Sequence, residues 1–243
     1  EPVSRGDLVS GTDPDYPPLC FACDQARTQG GLVIWCHNGR GMEVPVAAGL
    51  GKLHAFNLFD PAWKELEYDI WYRLLNCGIR LPASTGSDWY VCSNNRVYVQ
   101  TDDDFTYANW IDGLRRGRTF ITNGPALFLE VDGQQPGGAI DTGPRRAPIR
   151  VEWRSFHPLD RIEIVRDGAV IHRRSLHTAG DRRQGAFFVD TDVSEDGWLA
   201  ARVHGARRDS FAQPLFAHTS PVYIGSGLPP AKVGAAATFF AEA

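Results

Sequence analysis

The sequence lacks the features of several common protein classes. It has 25 basic and 29 acidic side chains, so no positive excess is available to bind nucleic acid mainly through phosphates. No apolar run approaches the ~18 residues of a membrane-spanning helix, and the densest, Leu32–Cys36, has the length of a strand. The spacings G-x-G-x-x-G and G-x-S-x-G are absent, which argues against a dinucleotide site and a nucleophile elbow.

The cysteines do not form a recognisable disulfide framework. There are five, an odd number at irregular spacing, and the pair Cys20 and Cys23 has no second C-x-x-C to complete a zinc site. We therefore expect small buried thiols in a reducing or indifferent compartment. Apolar residues (43%) and charged residues (22%) are in ordinary globular proportion, and 243 residues favour two domains.

The first half alternates predicted helices with short apolar strands. A helix over 19–27 precedes the strand Leu32–Cys36, and a longer helix has apolar residues at three- and four-residue spacing up to Gly78. Further strands are predicted at 53–59, 81–84 and 96–100, and a last helix at 107–116. Such alternation is typical of βα units on a parallel sheet or barrel.

After Thr119 the apolar residues recur with a period of two. Asp167-Gly168, between two such runs, is a strong hairpin signal. About seven short strands are predicted, at Leu127–Val131, Ile149–Trp153, Arg161–Arg166, Ala169–His172, Ala186–Val189, Trp198–Val203 and Pro221–Ile224. This spacing favours an antiparallel sandwich, and it predicts an α/β domain over 1–120 followed by an all-β domain over 121–243.

Polar residues that follow the apolar strands are the candidates for chemistry. His37 follows the strand 32–36, Asp88 follows the strand 81–84, and Asn57 lies near the end of the strand between them. Parallel βα architectures place reactive groups at these strand ends, and an imidazole with a carboxylate suits a divalent metal. A structural, hydrogen-bonded histidine is the alternative, and two ligands do not complete a site.

Several blocks, taken together, resemble one family. The blocks are Gly30–His37, Trp71–Gly78, Leu81–Asp88, Asn95–Val99, Gly117–Pro125 and His218–Tyr223. In this order they resemble the CehA/McbA (carbaryl-hydrolase-like) metallohydrolases of the PHP (polymerase and histidinol phosphatase) superfamily. The resemblance spans about residues 16–226 and implies the C-terminal part of a distorted (β/α) PHP-type barrel, followed by an all-β antiparallel sandwich.

The resemblance also implies an activity and a site. Members of this family use zinc, manganese or iron to activate water, which cleaves an ester, carbamate, amide or phosphoester bond in a small-molecule substrate. His37 and Asp88 match metal ligands and are the expected catalytic residues. Residues expected around them are Glu43, Asn57, Tyr90, Arg96 and Asn123; Tyr90 stands where the family's final motif has a histidine.

The family's opening His-x-His strand has no counterpart before the helix that follows Tyr16. We therefore expect an N-terminal segment, a second chain or a further copy to cover the open edge of the barrel, with neither nucleic acid nor membrane as partner. One alternative is a non-catalytic binding or structural protein on a degenerate barrel. Another is a β-sandwich that binds a glycan or protein, with Trp153, Phe156, Trp198 and Phe211 as candidate stacking residues.

Overall fold

A computed structural model describes residues 18–36, 43–58, 64–86, 93–102, 104–178, 180–227 and 230–241. The helices are α1 (Pro18–Thr28), α2 (Val44–Gly49), α3 (Lys64–Asn76), α4 (Tyr107–Arg115) and α5 (Pro230–Ala241). The strands are β1 (Ile34–Trp35), β2 (Ala55–Asn57), β3 (Ala83–Ser84), β4 (Arg96–Val99), β5 (Thr119–Thr122), β6 (Ala126–Val131), β7 (Ala139–Ile140), β8 (Arg146–Arg154), β9 (Arg161–Arg166), β10 (Ala169–Ser175), β11 (Gln184–Asp192), β12 (Gly197–Arg208), β13 (Pro214–Thr219) and β14 (Val222–Ile224).

The first strands form a small parallel sheet in the order β1-β2-β3. Trp35 pairs with Phe56, and Asn57 pairs with Ser84. α2 connects β1 to β2 and α3 connects β2 to β3, as parallel pairing requires a crossover between consecutive strands. The Trp71 indole of α3 donates to the Leu81 carbonyl at 2.9 Å, which ties this helix to the approach of β3.

The remaining strands form two sheets, which are antiparallel except where β14 pairs parallel with β7. The larger sheet has the order β10-β9-β12-β13-β5-β4, with β14 pairing both β12 and β7, and the smaller has the order β11-β8-β6. β9 and β10 meet in the turn Asp167-Gly168, where φ is 51° and 90°. These left-handed values are those of a type I′ turn, so the predicted hairpin is confirmed.

The larger sheet separates two apolar cores. Alternate residues of β12 face opposite ways: Trp198 and Ala200 pack with the helices, whereas Leu199, Ala201 and Val203 pack with the smaller sheet. A strand buried on both faces needs apolar residues at successive positions. This explains why the run beginning at Trp198 is continuous rather than alternating.

A buried polar network joins α3 to the larger sheet. Arg202 donates to the Glu163 carboxylate at 2.6 Å, and Arg173 donates to it at 2.7 Å. The nearby His218 imidazole has Nδ1 2.7 Å from the Thr219 carbonyl and Nε2 2.6 Å from the Tyr72 hydroxyl. Nδ1 therefore donates to the carbonyl, and Nε2 accepts from Tyr72.

The prediction of a (β/α) barrel is wrong. In the described part of the chain, strand residues outnumber helical residues, and the parallel strands β1, β2 and β3 form an open sheet. β4, which the sequence placed in the barrel, instead pairs antiparallel with β5, and β5 continues into the larger sheet through β13. The alternation of helices and short strands therefore predicted local structure correctly, but it does not determine whether the sheet closes into a barrel. The division into domains at residue 120 stays a prediction.

Candidate functional site

A groove of about 690 Å³ lies between β4 and β5 on one side and β6 on the other. Ser155 and Phe156, which follow β8, also line it. The lining residues are Tyr98, Val99, Gln100, Arg118, Thr119, Phe120, Gly124, Ala126, Leu127, Phe128, Leu129, Gln135, Pro136, Arg154, Ser155 and Phe156. We call this feature the aromatic groove, because four of these side chains are aromatic.

One of the four aromatic rings, that of Phe120, contacts two of the others. Tyr98 lies opposite Phe120 in the β4–β5 register, and their rings stack with centroids 4.9 Å apart and planes 8° apart. Phe128 meets Phe120 edge to face at 5.6 Å. Tyr98 is 53% exposed, Phe128 48% and the nearby Phe156 92%, so the groove presents large apolar surfaces to solvent.

The groove exists because consecutive strands enter different sheets. β5 ends at Thr122 in the larger sheet, and β6 begins at Ala126 in the smaller one. Within β6, Leu127 and Leu129 are buried against the second core, so the alternation of the strand directs Phe128 to the opposite face.

Asn123 fixes the point at which the chain leaves the larger sheet. Its amide nitrogen donates to the Asp209 carboxylate at 2.9 Å and to the Pro214 carbonyl at 3.1 Å. Its amide oxygen accepts from the Phe216 N–H at 2.8 Å. The side chain is buried, and these bonds use both of its polar atoms.

Two arginines give the groove its charge. Arg118 pairs with Asp102 beside β4. Arg154, at the end of β8, is exposed and forms no ion pair with any acidic residue in the described segments. Among the described residues, the lining includes no histidine, cysteine, aspartate or glutamate, and its remaining polar groups are amides and hydroxyls.

Two glycines bring the ends of the groove walls into backbone contact. Gly117 precedes β5 and Gly137 precedes β7, with φ of 76° and 85° respectively. A Cβ atom on Gly137 would lie 2.0 Å from the Arg116 carbonyl oxygen. No side chain fits between these two turns.

The two predicted metal ligands cannot be placed. His37, Asp88 and Tyr90 lie outside the described residues. Within the part of the chain that is described, no three His, Cys, Asp or Glu side chains are grouped as a metal site would require. A divalent metal at His37 and Asp88 stays a prediction.

The other predicted site residues lie on separate elements. Glu43 precedes α2, and Asn57 is buried at the carboxyl end of β2. Arg96 begins β4, where its guanidinium donates to the carbonyls of Ser93 and Asn95 at 2.7 Å each. Arg96 pairs with Thr122, which places it near Asn123. Neither lines the aromatic groove.

Sequence reasoning identified one aromatic residue of the groove. Phe156 was a candidate stacking residue and lies there, whereas Trp153 and Trp198 are buried and Phe211 is half-buried elsewhere. Tyr98, Phe120 and Phe128 were missed. The sequence signal for such a residue is an aromatic side chain at a strand position that alternates with buried apolar ones. Phe128, between Leu127 and Leu129, shows this pattern.

No helix in the described segments is long and apolar enough to cross a membrane. No protein-family model matches the sequence. No curated protein matches it either.

Two solved structures are similar to part of the chain. Both are of the CARDB domain of the PF1109 protein from Pyrococcus furiosus, each 11% identical and covering 42% of this chain. The solution NMR structure has 97% of its own chain covered at a TM-score of 0.29. The crystal structure, a complex with di-metal ions, has 89% covered at a TM-score of 0.30. Similarity of this size assigns neither a fold nor a ligand.

These findings correct the family suggested by the sequence. A CehA/McbA or PHP assignment would require a barrel and a matching family model, and the chain shows an open parallel sheet with no such match. The blocks from Gly30 to Tyr223 that carried the resemblance are distributed over α3 and two separate sheets. The identification of this chain as a CehA/McbA metallohydrolase of the PHP superfamily is therefore wrong.

Proposed function

We propose that the chain is a ligand-binding module whose ligand occupies the aromatic groove. The observation that carries this proposal is the exposure of Tyr98, Phe128 and Phe156 around one cavity. Clustered exposed apolar surface is costly in water and commonly marks a binding site.

The lining indicates the chemical class of the ligand. Aromatic faces favour flat apolar groups, and each such stacking contact contributes about 0.5–1.5 kcal/mol beyond burial of area. Arg154, which has no acidic partner among the described residues, favours an anionic group at one end. The ligand is therefore apolar with an acidic substituent.

The experiment uses the dye anilinonaphthalene sulfonate, which combines aromatic rings with an anionic group. Its fluorescence is titrated against the whole chain and against Phe128→Ser. We expect an affinity about three- to tenfold weaker for the variant, since one stacking contact is lost.

The matched control is Phe188→Ser. Phe188 is 66% exposed on β11, in the same small sheet as Phe128, but does not line the groove. Its substitution should leave the affinity unchanged. Equal losses in both variants, or no loss in either, would contradict the proposed site.

Hydrolysis by a metal-activated water stays a prediction from the sequence. Its two named ligands lie outside the described residues, and no observation in the described part favours it over binding.

A further inference from the structure

One wall of the aromatic groove is also the edge of a sheet. β4 is the terminal strand of the larger sheet within the described residues, with β5 as its neighbour. The Gln100 N–H donates to the Arg118 carbonyl at 2.8 Å, which identifies Gln100 as hydrogen-bonded toward β5. Hydrogen-bonding direction alternates along a strand, so Tyr98 also faces β5 through its backbone, whereas Val97 and Val99 direct their N–H and C=O groups to the open edge.

The alternation of side chains along β4 connects this edge to the groove. Tyr98 and Gln100 both line the groove and lie on one face of the strand. A strand added beside β4 would place every second side chain on that same face. Those side chains would contact Tyr98 and the other aromatic rings, while the intervening residues would bond to Val97 and Val99.

The two ends of the groove differ in charge. Arg96 pairs with Thr122, and Arg154 pairs with Ala126 four residues further along the chain, so both arginines lie toward one end. Asp102, whose exposed carboxylate is paired with Arg118, and the exposed Asp104 follow β4 at the other end. An incoming chain therefore finds two arginines at one end of β4, and two carboxylates with one arginine at the other.

We infer that the ligand is an extended peptide segment that pairs antiparallel with β4, with alternate apolar side chains in the aromatic groove. Its acidic residue lies toward Arg96 and Arg154, and its basic residue lies toward Asp102. Strand addition of this kind takes affinity from backbone hydrogen bonds and specificity from pockets for alternate side chains. The inference rests on the proposed function of the groove.

The probe is an array of labelled peptides of the pattern Thr-Lys-Thr-X-Thr-X-Thr-Glu, with X drawn from Phe, Tyr, Leu, Ile and Val. In the inferred register, Lys lies opposite Asp102, the second X opposite Tyr98, and Glu opposite Arg96. We expect members of the array to bind the whole chain and to displace anilinonaphthalene sulfonate. The reversed pattern, with Glu and Lys exchanged, should bind more weakly.

Backbone methylation then tests the pairing itself. The Thr residues on either side of the second X lie opposite Val99 and Val97, so their N–H groups face β4. N-methylation of these two residues should weaken binding at least about tenfold, through loss of hydrogen bonds that have no replacement. N-methylation of the two X residues, whose N–H groups face away from β4, is the matched control and should have little effect. Any other pattern of loss would overturn antiparallel pairing with β4.

The dye separates this inference from the proposed function. If the dye binds and is sensitive to Phe128→Ser, but no peptide in the array displaces it, the groove is a binding site and the added strand is wrong. If the dye does not respond to Phe128→Ser, the proposed function itself is contradicted.

Discussion

The molecule has two aromatic clusters, and their surroundings differ. In the buried cluster, Trp71 donates to the Leu81 carbonyl, Trp198 donates to the Asn76 amide oxygen at 2.8 Å, and Tyr72 donates to His218. In the aromatic groove, the two rings that contact each other edge to face are phenylalanines, which have no polar atom to satisfy. The buried rings hold α3 against the larger sheet, whereas the groove rings stack on one another and remain exposed.

This difference distinguishes aromatic rings that stabilise the fold from aromatic rings that are available to bind a ligand. An aromatic residue in a core stabilises the fold through its buried area and its hydrogen bonds, and its removal leaves a cavity. An exposed aromatic residue contributes little to folding, so a cluster of them in one cavity requires another explanation. The two clusters therefore predict opposite outcomes for the same kind of substitution.

The largest expected effect is on the buried cluster. Trp71 is fully buried, so Trp71→Ala should lower the free energy of unfolding by about 3–5 kcal/mol, through lost area and an unfilled cavity. Guanidinium unfolding followed by circular dichroism measures it. Phe128→Ser is the comparison variant and should change the same quantity by less than about 0.5 kcal/mol. Similar losses in both variants would remove the distinction between the clusters.

A smaller effect is expected from acid. Burial lowers the pKa of His218 to about 3 from its ordinary 6.5, so the folded state keeps this imidazole neutral while the unfolded state binds a proton below pH 6.5. Stability should therefore fall by about 1.4 kcal/mol per pH unit as pH drops below 6.5, or by about 2 kcal/mol at pH 5. Burial opposes ionisation of Glu163, but the Arg202 hydrogen bond and charge dominate and lower its pKa to about 2. Its contribution is lost between pH 4.5 and 2.

The variant His218→Gln isolates the contribution of His218 to the pH dependence of stability above pH 5. Unfolding free energies of the two proteins, measured from pH 7.5 to pH 5, should converge as the pH falls, since only the wild type carries the histidine. A difference that stays constant over this range would mean that the buried imidazole is not the group responsible.

The smallest effect is expected from metal removal. The described residues that line the groove include no histidine, cysteine or carboxylate, so dialysis against a chelator should leave the affinity for anilinonaphthalene sulfonate unchanged. Elemental analysis before and after dialysis shows whether a metal was present and removed. A loss of dye binding that added zinc restores would connect the groove to the predicted metal at His37 and Asp88.

Local structure was the part of this protein that the sequence predicted well. The helix expected at 107–116 is α4 over Tyr107–Arg115, and the turn at Asp167-Gly168 connects β9 and β10. Both depend on signals within one turn or one hairpin. The seven strands expected after Thr119 also form, because a period of two is specified by neighbouring residues.

The arrangement of these elements in space could not be predicted from the sequence in the same way. Whether parallel strands close into a barrel depends on the partner that each edge finds, and the βα pattern is the same in open and closed sheets. The aromatic groove combines β4, β5, β6 and the residues after β8, which meet through registers that no local pattern specifies. Phe128 could be assigned to a solvent-facing position, but its contact with Phe120 required the structure.

The contact between Gly117 and Gly137 has a consequence for how this site tolerates sequence change. These two turns meet backbone to backbone at one end of the groove, so the separation of the walls there does not depend on any side chain. Residues that line the groove can consequently vary, and the preference for one ligand over another can shift, without altering the width of the opening. The two glycine positions themselves have no such freedom, since a side chain on Gly137 would collide with the Arg116 carbonyl and Gly117 has a left-handed backbone.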